Sequence, residues 1–224
     1  MTTGMADHLP HSGPGRDRAY FLLLKGILQG ELPPDSRLME QQLADGFELS
    51  RTPLREALFR LEHEGFVQTE LRRGFRVAPL TETEARQIYP IIGALEALAI
   101  SESGTLVATM LSTLVAANED LAKAINSPGE ALHADEAFHR ALVAECMNVE
   151  LNELLERYHL RAIRYEQLFM RESSLIERSV SQHQAIIKAV AGGDIGAAQS
   201  AVEANYQTGM ESVIAKLRNT KATG

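Results

Sequence analysis

The sequence of 224 residues contains one cysteine, no tryptophan and few aromatic residues, which make up 5% of the chain. A single cysteine, Cys146, excludes an intramolecular disulfide framework and a CxxC zinc or redox motif. No apolar run approaches the roughly 18 residues that a transmembrane helix needs. The first sixteen residues lack the basic start and the apolar segment of a secretory signal. These absences predict a cytoplasmic protein with no membrane partner.

Helix-forming residues dominate what is present. Ala, Leu, Glu, Gln and Arg fill long stretches, whereas residues that prefer strands cluster only at 66–78. We therefore predict a mainly α protein with one short β excursion. Residues 1–15 are rich in Gly, Pro, His and Ser and show no periodicity, which predicts a disordered tail.

Charge is distributed unevenly along the chain, whose formal net charge is −8. Residues 16–80 hold 10 Lys and Arg against 10 Asp and Glu, whereas residues 81–224 hold 12 against 19, a net charge of −7. Within 51–76, six Arg face four Glu, a local excess of +2. This asymmetry favours a polyanionic partner for the first part only, although such an excess is also typical of a solvated helix face.

The first part of the chain has the element order of a winged helix-turn-helix, which we predict over residues 16–79. A tight turn at 46–49, with Gly46 at its start, separates the second and third helices, and Ser50 is the predicted N-cap of the third. The predicted elements are a helix from Asp17 to Gly30, a helix over Glu40–Asp45, a helix from Ser50 to Glu64, and a hairpin of Phe66–Glu70 and Phe75–Ala78.

The third helix has the pattern of a DNA-recognition helix. Its apolar residues share one face, and arginines project from the opposite side of its first turns, where a recognition helix enters the major groove and arginine bridges guanine O6 and N7. The arginine-bearing hairpin tip can reach the minor groove or phosphates. The alternative is that these arginines pair with Glu48, Glu56 or Glu70 on a solvated surface. The predicted DNA-contacting residues are Ser50, Arg51, Thr52, Arg55, Arg72, Arg73 and Gly74.

Residues 18–79 resemble the DNA-binding domain of the GntR family of bacterial transcription regulators. The resemblance is carried by Pro34-Asp35-Ser36-Arg37-Leu38, by the segment LSRTPLREAL from Leu49 to Leu58, and by Leu61-Glu62 followed by Glu64-Gly65. It implies base and phosphate contacts at Ser50, Arg51, Thr52, Arg55 and the wing tip. Two positions depart from the family pattern. Gln41 stands where relatives often carry an arginine, and Leu71-Arg72 replaces the usual Pro-Gly of the wing.

After Pro79 the pattern is helical, and residues 80–224 are predicted to form an antiparallel bundle of six helices joined by short loops. Pro90 is expected to kink the first of them. The predicted helices lie near 81–101, 105–126, 129–147, 149–171, 173–191 and 194–218.

Four polar residues of this bundle fall on otherwise apolar helix stripes. Asp135 and His139 are one turn apart, His183 shares a stripe with Val180, Ile187 and Val190, and Asn205 lies on the last helix. Burial without partners would cost several kcal/mol, on the order of 1–3 for each neutral group and more for a carboxylate. A shared divalent metal or anionic ligand would satisfy all four. The alternative is that Asp135 hydrogen-bonds His139 or His183 within the core.

Residues 81–224 look like the FCD effector domain of the FadR subfamily, and six helices rather than seven suggest the VanR-like branch. The resemblance rests on Leu95-Glu96, on Asp135 to His139, and on His183 to Asp194. It implies a divalent metal such as Zn, Ni, Mn or Fe at Asp135, His139 and His183, with Asn205 at the fourth position in place of a histidine, which would weaken binding. It also implies a small carboxylate effector, for which the candidate arginines are Arg140, Arg161 and Arg164.

Together these patterns predict a ligand-responsive transcriptional repressor that binds a near-palindromic DNA operator as a homodimer. No P-loop, GxGxxG, GxSxG or HExxH segment is present, so we expect no enzyme activity. One alternative is a di-metal carboxylate enzyme built from Glu-x-x-His pairs, as in other helical bundles. Another is a DNA-binding protein without an effector, whose bundle serves only dimerisation. The Glu-x-x-His pairs are Glu130/His133, Glu136/His139 and Glu156/His159.

Overall fold

The computed structural model describes residues 15–71, 73–169 and 172–222. The chain folds as two compact units that divide between Leu80 and Thr81. The tail predicted to be disordered lies outside the described residues, apart from Gly15, which begins the first helix.

The first unit is a small helical domain with a three-stranded antiparallel sheet, which confirms the predicted winged helix-turn-helix. The sheet has the order β1-β3-β2. Its strand β1 was not predicted, because two residues are too few to show a period in the sequence. The elements are α1 (Gly15–Leu28), β1 (Arg37–Leu38), α2 (Glu40–Gly46), α3 (Arg51–His63), β2 (Val67–Glu70) and β3 (Gly74–Val77).

The predicted apolar face of α3 forms the centre of this unit. Leu54, Leu58 and Leu61 are completely buried, and α3 packs against α1. Each fully buried leucine stabilises the fold by about 1.5–3 kcal/mol. Because this face is committed to the core, the polar side of α3 with its arginines faces outward.

The turn between α2 and α3 differs from the prediction in one detail. Gly46 is the last residue of α2, and the left-handed backbone conformation falls on Glu48, with φ of 55°. The amide of Leu49 then donates to the carbonyl of Ala44 at 2.9 Å and closes the turn. This conformation costs a non-glycine residue about 1–2 kcal/mol. The sequence pattern, which favours glycine for such a position, therefore does not identify Glu48.

The second unit contains six α-helices within its described residues, as predicted. The helix expected over 105–126 is shorter than that, because residues 104–110 form a 3-10 segment before it. Gly104 adopts φ of 53° and interrupts the α geometry, and the Thr109 hydroxyl donates to the Leu106 carbonyl at 2.7 Å. The helices are α4 (Glu82–Ser103), α5 (Leu111–Lys123), α6 (Pro128–Val143), α7 (Val149–Phe169), α8 (Ser173–Ala191) and α9 (Ile195–Ala222).

Helix α4 is the central helix of this unit and packs against α7 and α9. It continues through Pro90 as one helix. At Gly93 a Cβ atom would lie 3.3 Å from the Cβ of Tyr206 and 3.5 Å from the Cα of Glu203, so α4 and α9 approach closely at this point.

Among the described residues, no single helix has the length and apolar character to cross a membrane. The bent pair of 82–106 and 108–123 meets that test only when its two parts are taken together, by length and composition alone.

Candidate functional site

The N-terminus of α3 presents an exposed polar surface. Ser50 takes the N-cap position with extended backbone angles, as predicted, but its side chain makes no capping hydrogen bond. Ser50, Arg51 and Thr52 are all exposed. The first amides of a helix lack intrahelical partners, so this hydroxyl and these amides are available to a phosphate.

The two arginines of this surface are held by helix α2. Arg51 donates from Nε to the Oε1 atom of Gln41 at 2.6 Å and also contacts that oxygen through Nη2. Arg55 pairs with Glu40, with 3.1 Å between Nε and Oε2. None of the three glutamates proposed as partners fills that role for these two arginines. Exposed pairs contribute about 0–1 kcal/mol, so both guanidinium groups can exchange these partners for DNA at little cost.

The wing tip lies between β2 and β3. Arg72 is outside the described residues. The Arg73 side chain is exposed, and its carbonyl accepts a hydrogen bond from Nε of Arg37 at 3.1 Å. Gly74 adopts φ of 85°, which favours glycine. Arg76, the next arginine along β3, is committed to Asp35 and Glu70 and is not part of the exposed tip.

In the second unit, Asp135, His139 and His183 come together in the interior. One ligand atom from each lies within 4.8 Å of the others, and all three residues are buried. Helix α6 supplies Asp135 and His139 one turn apart, and α8 supplies His183. The α8 stripe is shifted slightly from the predicted one, since Ser179 and Ile186 are buried in place of Val180 and Ile187.

His183 is the least satisfied member of this cluster. It is completely buried, and neither ring nitrogen makes a hydrogen bond. Its Nε2 atom lies 3.6 Å from Oδ1 of Asp135, too far for a hydrogen bond. The ring stacks on Phe138 with 3.7 Å between centroids. Burial, together with the charge of His139, holds the pKa of His183 well below its usual value, so the imidazole is neutral and its lone pair is available to a metal.

The carboxylates of this interior are also poorly compensated. Burial raises the pKa of Asp135 to about 6, although His139 acts in the opposite direction. Burial raises the pKa of Glu136 to about 7 and that of Glu166 well above its usual value. Each of these carboxylates lacks enough nearby positive charge, and a bound cation would favour their ionised forms.

Sequence reasoning missed the residue that pairs with His139, which is Glu96. This glutamate is completely buried on α4, and its Oε2 atom lies 2.9 Å from Nδ1 of His139. Its Oε1 atom lies 2.8 Å from Nε2 of His159 and accepts a 2.7 Å hydrogen bond from Tyr206. Within the described residues no hydrogen bond joins His139 to Asp135, and the partner of Nδ1 is Glu96. Glu96 falls on the buried stripe of Tyr89, Ile92 and Ile100. A search for polar residues on apolar helix stripes, which singled out Asp135, would therefore also have singled out Glu96.

Glu96 and His139 shift each other's pKa values in opposite directions. Burial alone would raise the pKa of Glu96, but His139 and His159 outweigh it and lower that pKa to about 2. Burial alone would lower the pKa of His139, but Glu96 outweighs it and raises that pKa to about 9. At neutral pH the metal-free protein therefore pairs an ionised Glu96 with a protonated His139, and Nε2 must release its proton before a metal can bind there.

Asn205, the predicted fourth ligand, is buried on α9. Its side-chain amide donates to Oε1 of Gln182 at 3.2 Å. Its Oδ1 atom makes no hydrogen bond within the described part of the chain. Because Gln182 precedes His183 in the sequence, this contact holds the Asn205 amide against α8.

The three candidate effector arginines lie in different surroundings. Arg140 is exposed on α6. Arg161 is engaged by Glu84, with 2.7 Å between Nη2 and Oε1. Arg164 is buried, and burial lowers the pKa of its guanidinium.

The Glu-x-x-His pairs do not converge on a second metal site. Glu130, His133 and Glu156 are exposed, and His159 pairs with Glu96 on another helix. In residues 15–71, 73–169 and 172–222, one group of His, Cys, Asp or Glu has the spacing to hold a metal. The di-metal interpretation is therefore wrong.

Comparison with known proteins identifies two families along the chain. The family described as bacterial regulatory proteins, gntR family, matches residues 16–77, and the FCD domain matches residues 87–208. The HTH-type transcriptional repressor GlaR of Escherichia coli (strain K12) is 30% identical over 204 residues, which cover 84% of this chain and 91% of that protein. The uncharacterized HTH-type transcriptional regulator YdhC of Bacillus subtilis (strain 168) is 35% identical over 144 residues, or 61% of this chain and 63% of that protein.

A solved structure of a GntR transcriptional regulator from Rhodococcus sp. RHA1 has the same fold. Its TM-score is 0.74 at 22% sequence identity, and the match covers 89% of this chain and 97% of that one. Regulators of this family bind DNA operators and small-molecule effectors, and the FCD domain is a metal-binding effector domain. The chain therefore belongs to the GntR family, carries an FCD domain, and is a DNA-binding transcriptional regulator rather than an enzyme.

Proposed function

We propose that this regulator is a repressor that binds a near-palindromic operator as a homodimer in the cytoplasm and is released by a small carboxylate effector. Residues 16–79 bind DNA, and residues 80–224 dimerise and bind the effector. The relative GlaR is named a repressor. One winged helix covers only a few base pairs, so specific binding calls for two heads related by a two-fold axis.

On DNA, Arg51 and Arg55 leave α2 and bind base edges in the major groove. Ser50, Thr52 and the first amides of α3 bind phosphate, and the wing tip with Arg72, Arg73 and Gly74 reaches the adjacent groove or backbone. The exposed arginine pairs with Gln41 and Glu40 support this proposal, because they hold the guanidinium groups near α3 without burying them.

The effector domain holds a divalent metal through Asp135, His139 and His183, with the Asn205 amide oxygen at the fourth position. The observation that carries this proposal is the completely buried His183, whose two ring nitrogens have no hydrogen-bond partner. Mixed nitrogen and oxygen donors suit Zn, Ni, Mn or Fe. A divalent metal held by these three residues would supply Lewis-acid character for binding the effector carboxylate. Among the candidate arginines, we favour the buried Arg164 as the second contact of that carboxylate.

Elemental analysis of the purified protein tests the metal site. We expect exchangeable, substoichiometric divalent metal in the wild type, because Asn205 replaces a stronger ligand. The double variant Asp135→Ala with His183→Ala should contain none. His133→Ala is the matched control, since it removes an exposed histidine from the same helix as Asp135. Unchanged metal content in the double variant would show that the assignment is wrong.

A thermal-shift screen of small organic acids, with and without divalent metal, tests the effector. An acid that raises the melting temperature should also weaken operator binding. By linkage, operator DNA must weaken binding of that acid by the same factor, with a coupling of about 1–3 kcal/mol. If no acid changes either quantity, the second unit serves dimerisation without an effector.

A further inference from the structure

Four helices meet at the carboxylate of Glu96. The glutamate belongs to α4, and its partners His139, His159 and Tyr206 belong to α6, α7 and α9. The distances from its oxygens to these partners are 2.9, 2.8 and 2.7 Å. Three partners at these distances define the position of the carboxylate without help from a ligand.

These contacts also determine which nitrogen of His139 keeps its proton when the other one binds a metal. An ionised carboxylate only accepts hydrogen bonds, so Nδ1 of His139 must be the donor. In the described residues, Nε2 of His139 makes no hydrogen bond, and the same imidazole belongs to the cluster with Asp135 and His183. Nε2 is therefore the nitrogen left for a metal.

We infer that Glu96 is a positioning residue of the metal centre. By accepting a hydrogen bond from Nδ1 it holds the His139 ring in one orientation and directs Nε2 toward Asp135 and His183. This inference rests on the proposed metal site. A carboxylate in this position also makes the imidazole a stronger donor, and loss of such a partner lowers metal affinity by about 10–100-fold.

The neighbours of Glu96 hold its carboxylate in place beside the cluster of Asp135, His139 and His183. Tyr206 follows Asn205 directly, so one segment of α9 carries both a hydrogen-bond donor to Glu96 and the residue at the fourth ligand position. His159 also contacts Oε1, 3.3 Å from the Tyr206 hydroxyl, and its side chain is 20% exposed, in contrast to the fully buried Glu96.

The test compares zinc affinity by chelator competition in the wild type, Glu96→Gln and Glu84→Gln. Glu84 is the matched control, because it is a carboxylate on the same helix that is paired with Arg161, away from the cluster. We expect Glu96→Gln to weaken zinc binding by about 10–100-fold and Glu84→Gln to leave it unchanged. Metal-free operator binding should be equal in all three proteins.

A second measurement needs no variant. In the zinc-loaded wild type with 15N-labelled histidine, NMR should show His139 protonated at Nδ1 and bound to metal through Nε2. Metal on Nδ1 would overturn the inference. Equal zinc affinity of the wild type and Glu96→Gln would also overturn it, while leaving the metal site intact. If the wild type binds none of zinc, nickel, manganese and iron, both the proposed metal site and this inference fail.

Discussion

The DNA-binding head and the effector domain hold their functional side chains in opposite ways. In the head, Arg51 and Arg55 are exposed and contact neighbours that water could replace. In the effector domain, Glu96 and His183 are completely buried. Polar groups at a surface can change partners freely, whereas interior groups depend on a specific partner that must be present. The polar side chains of the head can therefore exchange one partner for another, whereas those of the effector domain depend on the partners they have.

The largest expected effect is on stability and tests this contrast directly. Glu96→Ala leaves the buried His139 and the partly buried His159 without their carboxylate and should lower the free energy of unfolding by about 3–5 kcal/mol. Glu40→Ala removes the exposed partner of Arg55 and should cost at most about 1 kcal/mol. Urea denaturation of both variants measures the difference. Equal losses in the free energy of unfolding for the two variants would contradict the proposed difference between the two units.

The pH dependence of the metal-free protein should come from the effector domain. The pKa of His139 is raised to about 9 in the folded state from 6.5. Its stabilising contribution is complete below pH 6.5 and is lost as pH rises through 9. Over the upper part of this range, from pH 7 to 9, the free energy of unfolding should fall by an amount on the order of 2 kcal/mol.

Chemical denaturation in chelator at several pH values measures this loss, with His139→Gln as the control. Asp135 and Glu136 have pKa values of about 6 and 7, so most of their own contribution lies below this window. If His139→Gln shows the same fall as the wild type, then the histidine is not its source.

The arginines of α3 should affect operator affinity without affecting stability. Arg51→Ala or Arg55→Ala should each weaken operator binding by about 1–3 kcal/mol and relax sequence preference, because each removes a base contact. Arg60→Ala is the control on the same helix, since Arg60 pairs with Glu64 within the head. Mobility-shift titrations against operator and scrambled DNA compare them. An equal loss for Arg60→Ala would indicate a general effect of charge.

The wing arginines should have the smallest effect. Arg72→Ala or Arg73→Ala should lower the slope of log affinity against log salt concentration by about one and leave sequence preference intact, because they bind phosphate. Lys123→Ala, on the exposed surface of α5, removes the same charge and should leave the slope unchanged. A wing variant that alters base preference would instead show that the tip contacts base edges.

The features predicted from the sequence are those carried by local pattern. The face of α3 formed by Leu54, Leu58 and Leu61 follows from helical spacing, and the breaks between the six helices follow from glycine, proline and capping residues. The convergence of Asp135, His139 and His183 was suggested by their misfit on apolar stripes. Each of these signals lies within one helix and its own periodicity.

What escaped prediction depends on contacts between distant segments. Strand β1 exists because it pairs with β3, and Glu48 takes a left-handed conformation because the turn requires it there. The partners of Arg51 and Arg55 on α2 are set by tertiary packing. The position of Glu96 on an apolar stripe could have been recognised in the sequence. Its two histidine partners lie on other helices, and the rotation of those helices relative to α4 cannot be predicted from local pattern.

The close approach at Gly93 has a consequence for the chemistry one turn away. A side-chain carbon at this position would crowd Tyr206, so glycine allows α9 to approach α4 closely near the residue that donates to Glu96. A methyl group at position 93 would force Tyr206 to shift by a few tenths of an ångström, which would disturb its 2.7 Å hydrogen bond to Glu96. A substitution at a residue that binds no ligand would thus alter the surroundings of the proposed metal site.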